Sequence, residues 1–246
     1  MKTKYKTIFI SDIHLGCQAC KDQQLLKFLK KNQCETLYLV GDIVDGWRLK
    51  RKFRWPQSHN DIVRSILTAA KNGTHVIYVI GNHDEILRDW SLLVNKLGNV
   101  EIVNESEYTT IKGKKLLVVH GDMFDTLMQA HAGKLIMHLG DRLYDMLIVL
   151  NNIWSKIRSM FGLPYWSLSK AVKKGAKQVV SFVTHFENLM VDYCESKDYD
   201  GVVCGHIHTP GIKDIDGLMY YNCGDWLENC SAIVETLDGD FELKFF

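Results

Sequence analysis

Short apolar blocks separated by turn residues dominate the first half of the chain. Residues 6–10 read as a strand that runs into Ser11-Asp12-Ile13-His14. Over 22–33, Leu25, Leu26, Phe28 and Leu29 recur at helical spacing. Leu37-Tyr38-Leu39-Val40 is a second strand, ended by Gly41-Asp42. A helix is expected over 58–72, with Ser58 or Asn60 as N-cap and Gly73 as its stop. The β-branched and aromatic run 76–80 closes on Gly81-Asn82, and a helix over 86–97 stopped by Gly98 is expected next. Strands follow at 101–104, 107–111 and 115–119, with Lys112-Gly113 as a hairpin turn.

After His120 the period changes. Residues 126–194 are long, helical in texture and apolar, interrupted at Phe161-Gly162-Leu163-Pro164. Strand texture returns at 201–204. It continues as a meander over 211–215, 218–222, 231–236 and 241–245, with Asp216-Gly217 and Asp238-Gly239 as hairpin turns. No internal repeat is present. The pattern predicts one α/β domain over 1–246, a layered sandwich carrying a helical cap inserted at about 126–194.

Composition narrows this only slightly. With 246 residues, 46% hydrophobic and 24% charged, the chain is ordinary globular protein rather than disordered, collagen-like or coiled-coil. A net charge of +1 argues against binding nucleic acid through bulk charge. The distribution is more informative. Residues 127–180 carry eight Lys/Arg against two Asp, which leaves the rest of the chain net acidic. Arg48, Lys50, Arg51, Lys52 and Arg54 form a second basic block, flanked by Trp47 and Trp55. Two readings stay open for both regions: a solvated face, or a surface for an anionic substrate or lipid. The cysteines (17, 20, 34, 194, 204, 223 and 230) are odd in number, and no signal peptide is recognised before them. A reducing cytosol is the expected compartment, with Cys17 and Cys20 read as plain thiols. The uncharged stretch Asn72–His83 is as long as any and too short to cross a bilayer.

The chemistry sits at strand ends. Five apolar strands run into Asp12 and His14, Asp42, Asn82 with His83 and Asp84, His120, and His206 with His208. In α/β sheets, ligands collect beyond the carboxyl ends of strands. Residues i and i+2 of an extended chain point the same way, so Asp12/His14 and His206/His208 are each expected to chelate as a pair. Carboxylate, imidazole and amide oxygens together suit Mn, Fe or Zn. Seven ligands drawn from these nine residues exceed one tetrahedral ion and suit two ions sharing a carboxylate.

The segments Asp12-Ile13-His14, Gly41-Asp42-Ile43-Val44-Asp45, Gly81-Asn82-His83-Asp84, His120-Gly121-Asp122 and Gly205-His206-Ile207-His208 resemble the signature blocks of calcineurin-like metallophosphoesterases. The resemblance spans residues 6–225 and implies a four-layer αββα sandwich. It assigns one metal to Asp12, His14, Asp42 and His208, and a second to Asp42, Asn82, His120 and His206, with Asp42 bridging. It makes His83 the catalytic acid or phosphate-binding histidine oriented by Asp84, gives Asp45 a bracing role, and leaves Asp122 and Asp125 structural. The implied cofactors are two divalent ions, Mn foremost, with a bridging hydroxide attacking phosphorus in line.

Within that family, the order of blocks and the helical stretch before Gly205 look like the bacterial UDP-2,3-diacylglucosamine pyrophosphatases of lipid A synthesis. These release UMP and a diacylglucosamine 1-phosphate. The resemblance implies an acylated nucleotide-sugar as substrate, contact with an anionic membrane surface, and a cytoplasmic location peripheral to the inner membrane. Substrate contacts then fall to Asn82, His83, Ser169, Lys170, Lys173 and Lys177, the lysines lying largely on one helical face. The apolar body of the insertion is read either as a helix pair burying itself or as a binder of acyl chains. One departure stands out: the best-known branch has Arg after the metal-binding Asn, whereas His83 stands here, as in general phosphodiesterases of nucleotides or phosphoproteins.

Overall fold

The computed structural model describes residues 2–91, 95–125 and 169–246. Two mixed sheets carry the fold. The first contains β1 (Thr3–Ile10), β2 (Asn32–Val40), β3 (His75–Val79), β4 (Lys96–Leu97), β5 (Val100–Val103), β11 (Ser231–Glu235) and β12 (Phe241–Phe245), in the order β12-β11-β1-β2-β3-β5-β4. The second contains β6 (Glu105–Thr109), β7 (Lys115–Val119), β8 (Gly201–Cys204), β9 (Gly211–Ile215) and β10 (Leu218–Asn222), in the order β6-β7-β8-β10-β9. β1, β2, β3 and β5 pair in parallel, as do β7, β8 and β10, so within each sheet the carboxyl ends gather on one edge.

Strand alternation builds two cores. Ile8, Ile10, Leu37, Leu39 and Val76 face Leu25 and Phe28 of α1 (Asp22–Lys31) and Ile62 and Ile66 of α3 (Gln57–Lys71). The intervening Phe9, Tyr38, Val40, Ile77 and Val79 face Tyr108, Leu116, Val118, Val203 and Tyr221 of the second sheet. Phe9 stacks on Tyr38 with ring centroids 5.0 Å apart. Period-two side-chain placement thus gives each strand of the first sheet a helix face and a sheet face. The last turns of α5 (Ser169–Ser196) join the second sheet: Cys194 Sγ lies 3.7 Å from the Gly201 carbonyl, and Lys213 pairs with Glu187 at 2.7 Å. The expected α/β class, two sheets with helices, holds. β1 starts exposed and β2 starts half-buried, and both end in four buried residues, so they deliver their carboxyl ends into the interior.

Some boundaries differ from expectation. Residues 32 and 33 extend β2 rather than α1, because they pair with Thr3 and Lys4 of β1. The helix expected over 86–97 does not extend to its expected end: α4 is described over Ile86–Ser91, and Lys96–Leu97 instead pairs antiparallel with β5 around Gly98, whose φ of 62° suits a residue without Cβ. The predicted caps of α3 are occupied elsewhere: Ser58 donates to the Asp22 carboxylate, and Asn60 accepts from Trp55 Nε1 at 2.9 Å. A short helix, α2 (Gly46–Arg51), lies where only a charge run was read. The hairpin turns at 216–217 and 238–239 fall as expected.

The chain divides into two compact units, Met1–Met123 with Glu187–Phe246, and Phe124–Phe186. In the second, Phe124 and Phe186 meet edge to face at 6.3 Å. Most of the expected cap, residues 126–168, lies outside the described residues. No helix among the described residues is long and apolar enough to cross a membrane.

Candidate metal centre

Backbone pairing continues past the ends of β1 and β2 and zips their loops together. Asp12 N–H donates to Gly41 O (3.1 Å), His14 N–H to Asp42 O (2.9 Å) and Leu15 N–H to Ile43 O (2.8 Å). This sets Asp12 and His14 beside Asp42. The chain there is not extended. Asp12, His14, Asp42, His206 and His208 have φ of 51°, 52°, 54°, 68° and 51°. The expected chelation by extended i, i+2 pairs is therefore corrected: left-handed residues turn each pair inward. Such conformations cost roughly 1–3 kcal/mol each and persist where surrounding structure imposes them. Close approach demands two glycines. A Cβ on Gly41 would overlap the His120 ring, and one on Gly81 would overlap the Asp42 carboxylate.

Among the described residues, three overlapping groups of side chains could each hold a cation: Asp12, His14 and His208; His14, Asp42 and His83; and Asp12, Asp42 and His120. His208 Nε2 lies 3.0 Å from Asp12 Oδ1, and His120 Nε2 lies 3.4 Å from Asp42 Oδ2. His14 Nε2 lies 3.7 Å from both Asp12 Oδ1 and Asp42 Oδ2. His120 Nδ1 donates to Val40 O at 3.0 Å, which leaves Nε2 as a lone pair aimed inward. His206 belongs to none of these groups, and Asn82 is placed only by its buried Oδ1, which lacks a hydrogen-bond partner. The His206 ring sits 5.1 Å from that of His120, and its backbone N–H donates to Asp12 Oδ2 at 3.0 Å.

The residues fit divalent ions. Asp12 Oδ1, His14 Nε2, Asn82 Oδ1, His120 Nε2 and His208 Nδ1 are buried without a hydrogen-bond partner. A buried polar atom left unpaired costs about 1–3 kcal/mol. Most of these atoms converge on the two aspartates, and His208 Nε2 approaches Asp12 Oδ1 to 3.0 Å. A cation is the partner that chemistry supplies.

Charge points the same way. Burial alone would raise the pKa of Asp12 and Asp42. His208 and His14 around Asp12, and His120 and His14 around Asp42, outweigh it and hold both carboxyls well below the usual range. Burial would lower His120, yet Asp42 and Asp12 push it up to about 10. Fixed anions in this pocket therefore attract positive charge strongly, as protons or as metal. Asp84 is the exception: burial, then the Asp42 charge, push it up to about 6.

The residue that orients His83 is not Asp84. Asp84 accepts from the amides of Ile43 (3.1 Å) and Val44 (2.7 Å), pinning the second loop. Asp45 holds the ring instead, with its Oδ1 2.9 Å from His83 Nδ1. Asp45 also caps α2 by accepting from Arg48 N–H at 2.9 Å. His83 Nε2 lies 3.9 Å from Asp42 Oδ2, and the Trp47 ring packs 4.3 Å from the His83 ring. Asp122 pairs with Arg88 at 2.5 Å. Ser169, Lys170, Lys173 and Lys177 lie on α5, but their side chains are outside the described residues.

Sequence reasoning missed three supports. Asn222 donates to Gly205 O at 2.9 Å, Asn229 donates to His208 O at 3.1 Å, and Asp225 accepts from the amides of Leu227 and Glu228 at 2.7 and 2.6 Å. Together they fasten the loop carrying His206 and His208. Asn222 closes β10, so the strand-end rule that found the other residues would have found it too.

A family model described as calcineurin-like phosphoesterase matches residues 5–210. A UDP-2,3-diacylglucosamine hydrolase of Psychromonas ingrahamii is 23% identical over 235 residues, 93% of this chain and 92% of its own. One of Vibrio atlanticus is 25% identical over 254 residues, 97% and 96%. The structure of an archaeal phosphodiesterase aligns with a TM-score of 0.46 and 13% identity, over 98% of this chain and 99% of its own.

Proposed function

The chain belongs to the calcineurin-like phosphoesterase family and is a metal-dependent phosphoester hydrolase, and on that premise we propose that it hydrolyses UDP-2,3-diacylglucosamine to UMP and diacylglucosamine 1-phosphate. One observation carries the substrate: relatives named for that hydrolysis match over more than nine-tenths of both chains.

In this reading Asp12, His14, Asp42 and His208 hold one divalent ion, and Asp42, Asn82, His120 and His206 hold the other. Mn is the first candidate, with Fe and Zn behind it. When bound, such ions supply Lewis acidity toward phosphoryl oxygens and acidify water. The chain does the rest. His120 is fixed in the tautomer that offers Nε2 to an ion, by its hydrogen bond to Val40 O. Asp45 anchors Nδ1 of His83, which frees Nε2 to hold the proton that the leaving oxygen takes. Asp84 keeps its amide contacts and acts on the loop rather than on the ring. Asn82 and His83 also bind phosphoryl oxygen. The insertion at about 126–194 binds acyl chains, and Ser169, Lys170, Lys173 and Lys177 bind the anionic head. The enzyme works in the cytoplasm, at the inner face of the membrane that holds its substrate.

A second reading, a broader phosphodiesterase acting on nucleotides or phosphoproteins, draws on the His83–Asp45 pair standing where the best-known lipid branch has Arg. One assay separates them. Mn-loaded protein is offered UDP-2,3-diacylglucosamine, its deacylated counterpart and a simple diester, and UMP release is followed. Strong preference for the diacylated substrate is expected. Equal efficiency toward diacylated and deacylated substrates would overturn the proposal in favour of the second reading.

A further inference from the structure

The basic block at 48–54 takes no part in the chemistry above, yet it is tied directly to it. Asp45 and Gly46 open α2, and Gly46 N–H donates to His83 O at 3.1 Å. Trp47 lies against the His83 ring and anchors its Nε1 on Glu85 at 3.0 Å. Arg48 is drawn inward, with its Nε 3.1 Å from Asp45 Oδ2. Beyond it the segment turns to solvent. Lys50, Arg51, Lys52, Phe53 and Arg54 are all exposed, and α2 buries no side chain. Among the described residues, no carboxylate lies within ion-pair distance of Lys50, Arg51, Lys52 or Arg54. Phe53 stands 76% exposed between two of these cations. Trp55, at the far end, keeps its Nε1 on Asn60 at 2.9 Å.

Unpaired cations alone would fit any polyanion. The aromatic residues decide between the candidates. A large apolar ring held out among cations loses hydration free energy until it enters an apolar layer, and Trp at the flanks suits the boundary between headgroups and chains. Clustered Lys and Arg are drawn to the negative potential of an anionic leaflet. The net charge of +1 gives no general affinity for nucleic acid, so any attraction here is local to the basic block.

We propose that the segment Arg48–Arg54 is a docking surface for an anionic lipid bilayer, with Lys50, Arg51, Lys52 and Arg54 meeting headgroups and Phe53 entering the layer beneath them. The helix that begins the surface, α2, also carries Trp47 against the His83 ring and Gly46, whose N–H donates to His83 O, so docking brings the metal centre to the headgroup region. The inference rests on the lipid-linked reading above for its purpose, although binding itself requires no turnover.

The test is co-sedimentation of the Mn-loaded full chain with phosphatidylcholine vesicles, with and without phosphatidylglycerol, across a salt series. Binding is expected only with phosphatidylglycerol, falling as salt rises. Each cation near such a surface is worth about a fivefold change in binding, so Lys50→Gln with Lys52→Gln is expected to weaken binding roughly 25-fold and flatten the salt dependence. Phe53→Ser is expected to weaken binding while keeping the salt slope. All variants should retain wild-type Tm and wild-type hydrolysis of bis(p-nitrophenyl) phosphate. Equal binding to neutral vesicles overturns the proposal, as does binding unmoved by these substitutions or tighter binding to a single-stranded oligonucleotide than to anionic vesicles. No lipid substrate is present, so failure here leaves the UMP-release assay untouched, and failure of that assay leaves this one readable.

Discussion

Asp45 serves two structures at once. Its carboxylate caps α2 through the Arg48 amide and holds the His83 ring at Nδ1. Burial would raise its pKa, but hydrogen bonds from His14 and His83 keep it below the usual carboxylate range, so it stays ionised. An ionised partner on Nδ1 fixes both the ring's orientation and its tautomer. That placement suits the proton-transfer role proposed above for His83. His83→Ala is expected to lower kcat by about 10²–10⁴-fold. Metal content, measured by elemental analysis, should stay near wild type, because the remaining carboxylates and imidazoles keep their positions. An unchanged kcat would remove His83 from the proton transfer.

Elements act here through single contacts at their ends. α3 reaches the loop after β1 through His59, which is buried and accepts from Gly16 N–H at Nδ1, 3.1 Å away. Burial holds its pKa below the ordinary value. The sign follows directly. Below about pH 6.5 the unfolded chain takes up a proton that the folded histidine resists, so this contribution is intact above that pH and lost as pH falls through the lowered value. Protonation would also set an N–H against the Gly16 N–H. The stability advantage of wild type over His59→Asn, measured by urea unfolding, should shrink between pH 7.5 and 5. An advantage independent of pH would show that His59 does not titrate as its surroundings require. A different device joins the two sheets. The buried Glu235 of β11 accepts from Tyr108 of β6 and from the Ile111 amide at 2.9 Å, and Thr7 of β1 meets the Tyr108 hydroxyl at 2.6 Å. Satisfied on both oxygens, this carboxylate pins one sheet to the other at a set register.

The candidate metal residues follow strands of both sheets, so metal binding is expected to couple to the pairing of the two sheets. Asp12, His14, Asp42 and Asn82 follow strands of the first sheet, and His120, His206 and His208 follow strands of the second. Ions that bind only the native arrangement stabilise it by mass action, by about 4 kcal/mol at a thousandfold excess over Kd. For a chain of this size that is a shift in Tm of roughly 10 °C. Chelation should lower Tm by about that amount and Mn should restore it, with two equivalents of metal per chain by elemental analysis. A single equivalent under metal-replete conditions would count against the paired centre.

Sequence by itself determined the strands and what stands at their ends. Runs such as Ile8-Phe9-Ile10 and Val202-Val203-Cys204 leave little choice of element, and the Asp, Asn and His that follow such strands are residue types that coordinate metal. The α/β class and the candidate metal residues were legible for that reason: both are local properties of a strand and the residue that follows it. Tertiary structure decided the rest. Left-handed backbone at Asp12 and His14 depends on the pairing of their loop with the one carrying Asp42, which no single segment encodes. Asp45 rather than Asp84 holds His83 because α2 folds back onto the third strand's loop, and α2 itself left no apolar period to read. The last residues of the expected 86–97 helix became β4 because the free edge of β5 offered a partner. Local propensity chooses among elements when the apolar period is strong. Where it is weak, the neighbour that supplies hydrogen bonds and burial makes the choice.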